Sequence, residues 1–131
     1  MLKVHTLNDQ ICAHADNAAH GVEIPPGARL LFTNGQVGAR PDATVPEDPA
    51  EQLEVIFERL RVVLAASEMD FSDVVKLTTY MTGKEIMNDF LRARARHMKD
   101  HNPAATILVV GKFPRPGVEV EIEAIAAKVD T

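Results

Sequence analysis

Seven residues near the C-terminus, Val118 to Ala124 (VEVEIEA), alternate apolar and acidic without a break. A strand puts successive side chains on opposite faces, so this segment reads as β-structure with Val118, Val120 and Ile122 on one side. Glu119, Glu121 and Glu123 then share the other side, with same-face neighbours about 6.5–7 Å apart. The strand continues through Ile125 to Val129. It fixes a sheet with one aliphatic and one acidic face, and the rest of the chain must supply the cover for the aliphatic one.

Two helical segments fit that task. Asp48 can cap a helix that has Pro49 at its first position and Glu51 three residues after the cap. Ala50, Leu53, Phe57, Leu60 and Leu64 follow at helical spacing, with Ile56 and Val63 beside them, and the helix ends near Ser67. A second helix over 85–100 carries Met87, Phe90, Leu91, Ala95 and Met98 on its buried stripe, with Thr82 and Glu85 as a capping box.

Between the helices, 73–81 (DVVKLTTYM) is β-branched and reads as a strand, with Lys76, Thr78 and Tyr80 on its polar side. Residues 104–110 (AATILVV) are continuously apolar, as for a central strand buried on both faces. Near the N-terminus, residues 1–7 read as a short edge strand and 8–18 as a loop. Residues 20–24 and 29–33 flank Pro25, Pro26 and Gly27 as a hairpin. Residues 38–48 read as a loop. The order ββ(β)–α–β–α–β–β defines an α+β domain with both helices on one sheet face. The other face stays open, and such a sheet is commonly completed by oligomerisation.

With 131 residues the chain is sized for one domain. Only 5% of residues are aromatic and Trp is absent, so the core is aliphatic. A net charge of −5 argues against a broad nucleic-acid surface. The single Cys12 cannot form an internal disulfide. No run approaches the ~18–20 apolar residues of a membrane span, and the polar N-terminus lacks a signal-peptide core. A cytoplasmic protein is the expectation.

No phosphate-binding glycine loop and no C-x-x-C pair is present. His5, His14, His20, His97 and His101 are scattered, only the last two sharing a local segment, so neither metal nor cofactor is expected. Cys12 has no activating neighbour in sequence and reads as a bystander thiol.

Three segments carry a specific likeness: 31–36 (LFTNGQ), 73–76 (DVVK) and 103–125, which opens PAATI and closes on VEIEAI. Together they resemble the YjgF/RidA family of imine and enamine deaminases, also labelled L-PSP endoribonucleases, over nearly the whole chain. The resemblance implies a chorismate-mutase-like α+β fold, with one mixed sheet and two helices on one face. It also implies a homotrimer whose small-molecule clefts lie between subunits.

In the deaminases an Arg follows the Pro-Ala that opens the penultimate strand and holds the substrate carboxylate. A Glu of the last strand orders the attacking water. The resemblance puts Glu121 in the second role, Asn34 and Gly35 in the turn lining the cleft, and Thr106 and Ile107 in the strand beside it. At the Arg position this chain has Ala105, after Pro103 and Ala104. A cleft Tyr is also replaced, within 17–20 (NAAH). A charged hydrogen bond contributes ~1.5–3 kcal/mol, so efficient turnover of 2-imino acids is not expected.

Two replacements for the anchor stand open. Arg94 lies near a family Asn position, within a run of Arg92, Arg96, His97, Lys99 and His101 that otherwise reads as a solvated, basic helix end. His20 is the other. Alternating Glu is commonly just the polar face of a strand, which would make Glu119 and Glu123 the equals of Glu121. The expected function is hydrolysis of an imine, enamine or related C–N bond. The alternatives are a non-catalytic ligand-binding or regulatory trimer and, more weakly, an endoribonuclease.

Overall fold

The computed structural model of the chain describes residues 1–12 and 18–130. Its strands are β1 (Lys3–His5), β2 (Gly21–Glu23), β3 (Arg29–Phe32), β4 (Gln36–Val37), β5 (Val74–Met81), β6 (Ala104–Val109) and β7 (Val120–Lys128). Helix α1 spans Pro49–Ala66 and α2 spans Met87–Met98, the latter entered through a single 3₁₀ turn at Lys84–Ile86. Part of the loop expected over 8–18, including His14 and Asn17, lies outside the described residues.

The main sheet runs β3-β7-β5-β6, with β4 also paired to β7. Strand β7 is antiparallel to β3, β4 and β5, while β5 and β6 are parallel and joined through α2. The expected α+β layout is therefore present, as a mixed sheet with the two helices packed on it. Val120, Ile122, Ala124 and Ala126 of β7 are buried with Leu53, Ile56, Phe57, Leu60 and Leu64 of α1 and Phe90, Ala93 and Met98 of α2. Burying each large aliphatic side chain contributes roughly 1.5–3 kcal/mol.

Helix α1 starts as its sequence predicts. The Asp48 side chain accepts the Ala50 N–H at 3.0 Å, and Pro49 occupies the first turn. Glu51 does not close a capping box; it pairs with Arg40 instead.

Four local expectations are corrected. Residues 20–24 and 29–33 do not form a hairpin: β2 pairs with β1, and β3 pairs with β7. Gly27 does turn at φ +80, but the turn carries the chain from one sheet to the other. Strand β6 is at the edge of the sheet, not its centre, and leaves Leu108 42% and Val109 58% exposed. Thr82 and Glu85 form no capping box, since the cap position of that turn is Gly83 and Thr82 donates to Glu119. On α2, Ala95 faces out while Ala93 and Arg94 face in.

Candidate functional site

Ile122 and Val120 point into the helix-covered core, so alternation along β7 turns Glu121 and Glu123 to the face without helices. Glu121 lies opposite Tyr80 of β5 and Val37 of β4. The 33–39 segment closes over it. Thr33 exchanges two hydrogen bonds with Ala124, its N–H donating to the Ala124 carbonyl at 2.9 Å and its hydroxyl accepting from the Ala124 N–H at 3.0 Å. Gly35 then passes so near β7 that a Cβ added there would fall 2.0 Å from Glu121 Oε2. The absence of a side chain at Gly35 leaves the Glu121 carboxylate its place; a Cβ would displace that flexible end, not the backbone.

A polar chain behind Gly35 holds the loop. Gln36 is buried, and its amide donates to the Asn34 carbonyl at 3.1 Å. Arg59 of α1 donates through Nε to Gln36 Oε1 at 2.9 Å and through Nη1 to the Ala39 carbonyl at 2.8 Å. The approach to β7 is fixed by Gln52, which is fully buried. It donates to the carbonyls of Pro46 and Gly117, both at 2.8 Å, and accepts the Glu119 N–H at 2.9 Å.

These contacts distinguish carboxylates that look equivalent in sequence. Glu119 accepts from the Thr82 hydroxyl, and Glu123 accepts from Tyr80 Oη at 2.7 Å. Glu121 makes no side-chain hydrogen bond or ion pair among the described residues. The hydrogen bond to Glu123, burial and the charges of Glu123 and Glu121 all hold the Tyr80 phenol above its ordinary value. Tyr80 is therefore a committed donor to Glu123, and Glu121 is the carboxylate left open for other chemistry.

The residues of β6 stand apart. Thr106 pairs in register with Thr78 and faces the helix-free side, where its hydroxyl accepts from Lys76 Nζ at 2.7 Å. Ala105 and Ile107 pair with Leu77 and Thr79 and face the helices. Strand β5 separates β6 from β7, which puts roughly 9–10 Å between their backbones. Glu121, Gly35 and Asn34 are thus brought together within one chain, and Ala105, Thr106 and Ile107 are not brought to them.

Neither candidate anchor matches a solvated cation. Arg94 is buried on α2, with Nη2 donating to Asn102 Oδ1 at 3.5 Å, while Arg92 and Arg96 stay exposed and pair with Asp89 and Glu54. The imidazole of His20 accepts the Leu7 N–H at Nδ1 (2.9 Å) and donates from Nε2 to the Cys12 carbonyl (2.9 Å). Both ring nitrogens are thereby engaged by backbone groups.

His97 and His101, one helical turn apart in sequence, also diverge. His97 stacks on Phe57 with ring centroids 5.0 Å apart and bonds Glu54 at 2.9 Å. His101 Nε2 donates to the Val74 carbonyl at 2.6 Å. Among the described residues no group of three or more His, Cys, Asp or Glu is placed to hold a metal ion, and no helix is long and apolar enough to cross a membrane.

Sequence reasoning missed Gln36, Arg59 and Gln52 as the supports of the site, and Tyr80 and Lys76 as its neighbours. Tyr80 was legible in part, since period 2 puts it with Lys76 and Thr78 on the polar side of β5. The cross-strand register that brings it to β7 was not.

Comparison with known proteins finds relatives along nearly the whole chain. Residues 18–128 match the family model described as Endoribonuclease L-PSP. The chain is 31% identical over 132 residues to Protein HMF1 of Saccharomyces cerevisiae, covering 97% of this chain and 99% of that protein. It is 33% identical over 105 residues to the 2-iminobutanoate/2-iminopropanoate deaminase of Mus musculus, covering 76% and 75% of the two chains. A Yersinia pestis protein of the conserved Rid family, itself of unknown function, superimposes with a TM-score of 0.85 at 22% identity, covering 97% of this chain and 98% of that one.

Proposed function

The chain belongs to the YjgF/RidA family, the Endoribonuclease L-PSP family of the matching model, and from that premise we propose that it hydrolyses the C–N bond of an imine or enamine with Glu121 as the group that places and deprotonates water. The observation that carries the reading is the state of Glu121. Of the three carboxylates at 119, 121 and 123, it alone lacks a side-chain partner among the described residues, and it rests against a glycine.

In the step itself, the water oxygen attacks the imine carbon and the C=N π electrons move to nitrogen. Glu121 takes the water proton and delivers it to nitrogen. The carbinolamine hydroxyl then gives its proton through Glu121 to the amino nitrogen, the oxygen electrons form C=O as the C–N bond breaks, and ammonia and the carbonyl product leave. By resemblance, Ala105 stands where the deaminases carry their carboxylate-holding Arg. The preferred substrate is therefore a neutral imine, or one anchored elsewhere, and turnover of 2-imino acids is weak.

The active unit in this reading is a homotrimer with small-molecule clefts between subunits. Leu30 and Phe32 of β3 are 54% and 67% exposed, and Leu108 and Val109 of β6 are also uncovered. Such a set of apolar side chains supports a chain-to-chain contact. Since β6 and Glu121 stand too far apart within one chain, a neighbouring subunit is needed to bring the two halves of a cleft together. Arg94 remains a ligand contact in this reading only if a substrate group reaches the α2 side. A net charge of −5 does not favour RNA as a substrate.

The test is loss of an imine generated in situ by a flavin amine oxidase acting on a simple amine, followed by trapping with semicarbazide. Wild type accelerates the loss and Glu121→Gln does not. A protein that accelerates nothing, with ligand binding unaffected by Glu121→Gln, is a ligand-binding trimer without catalysis.

A further inference from the structure

On the outer side of α1, Ala39, Pro41, Val55, Val62 and Val63 wall a cavity of about 650 Å³. That volume falls in the range of small-molecule sites, ~300–1,000 Å³. Arg59 also lines it and is the half-buried cation there. Its two hydrogen bonds go to neutral acceptors, Gln36 Oε1 and the Ala39 carbonyl, and it forms no ion pair among the described residues. Its Nη2 donates to no described residue.

The other charges at this cavity are already matched. Glu54 is held by Arg96 and by His97 at 2.9 Å, and Glu58 by Arg61 Nε at 2.8 Å. Arg40 lies 3.4 Å from Glu51. Arg59 is therefore a positive charge without a counter-ion, held rigid at the edge of an apolar wall.

We propose that this cavity is a binding site for a small monocarboxylate with a compact apolar body, separate from the Glu121 site. The carboxylate takes the open Nη2 edge of Arg59, a geometry that guanidinium groups favour. The apolar body packs on Val55, Val62 and Val63. A ligand held there acts on the same guanidinium that fixes Gln36, and so lies one residue from the Gly35 contact with Glu121.

Phenylacetate and its neutral isostere phenylacetamide are the probes, titrated into the full chain and followed by ¹H–¹⁵N shifts of Val55, Val62 and Val63. Phenylacetate is expected to give saturable shifts at these residues, with phenylacetamide at least about tenfold weaker, the scale of one charged hydrogen bond. Arg59→Gln lowers the affinity by about tenfold or more. Val62→Glu changes a 55%-exposed position, keeps the dispersed spectrum of the folded chain, and loses binding through like-charge repulsion. Equal affinity for acid and amide, absence of saturation by phenylacetate, or unchanged binding in both variants overturns the proposal. None of these readouts depends on imine hydrolysis.

Discussion

The carboxylate of Glu121 occupies the space that a side chain at residue 35 would need: Oε2 lies 2.0 Å from where a Gly35 Cβ would be. The displaced group is the far end of a flexible side chain, not backbone. Gly35→Ala should therefore fold with a stability change under about 1 kcal/mol and still push Glu121 out of place. Its imine hydrolysis is expected to fall as far as that of Glu121→Gln, on the order of 10²–10⁴-fold for loss of a general base. Thermal melts and imine-loss rates on the two variants check this together.

Gln52 joins three loop backbone groups to α1 from a fully buried position. Gln52→Leu keeps the volume and strands the Pro46 and Gly117 carbonyls and the Glu119 N–H. A loss of about 2–4 kcal/mol follows, at ~1–3 kcal/mol for each polar group left without a partner. Chemical denaturation measures it, and an unchanged midpoint would contradict the role given to Gln52.

Glu54 lies below its ordinary value of 4.5: burial pushes it up, but hydrogen bonds and charges from His97 and Arg96 outweigh that. A carboxyl lowered in the folded state stabilises above its unfolded pKa and loses that contribution as pH falls through the folded value. Between about pH 5 and pH 3, wild type should therefore lose more stability than Glu54→Gln. The side chain is 44% exposed, so solvent screening keeps the difference below about 1 kcal/mol. Melting temperatures of both proteins across that range give the comparison.

Phe32 and Leu30 face away from the helices at the β3 side of the sheet. In the trimer reading Phe32→Glu puts a charge into the chain-to-chain contact. Light scattering should find wild type at three chains and the variant at a lower mass, with the far-ultraviolet spectrum of a folded chain retained.

What the sequence revealed followed the range of each signal. The alternation of β7 and the stripe of α1 are local periodicities, and both elements stand where they were read. The hairpin reading failed because pairing partners are chosen at long range: β3 found the exposed flank of β7, over ninety positions away. The apolar run of β6 was read as a central strand, but apolar composition does not count a strand's neighbours: among the described residues β6 pairs with β5 alone and leaves Leu108 and Val109 exposed. Arg94 sat in a charge run that reads as solvated, yet it lies four residues after Phe90 and four before Met98, on the buried face of α2, while Ala95 faces out. Glu119, Glu121 and Glu123 are indistinguishable by period. What separates them comes from Thr82 and Tyr80, brought across from β5 and its continuation.

The central claim is that Glu121 activates water in a cleft whose carboxylate anchor is missing at residue 105. The most direct test compares wild type, Ala105→Arg and Ala105→Arg with Glu121→Gln on 2-imino acids released by an amino-acid oxidase, with semicarbazide trapping. Ala105→Arg should gain deamination by tenfold or more, the scale of about 1.5–3 kcal/mol for a charged contact, and the added Glu121→Gln should abolish the gain. A gain that survives loss of the Glu121 carboxylate would contradict the account.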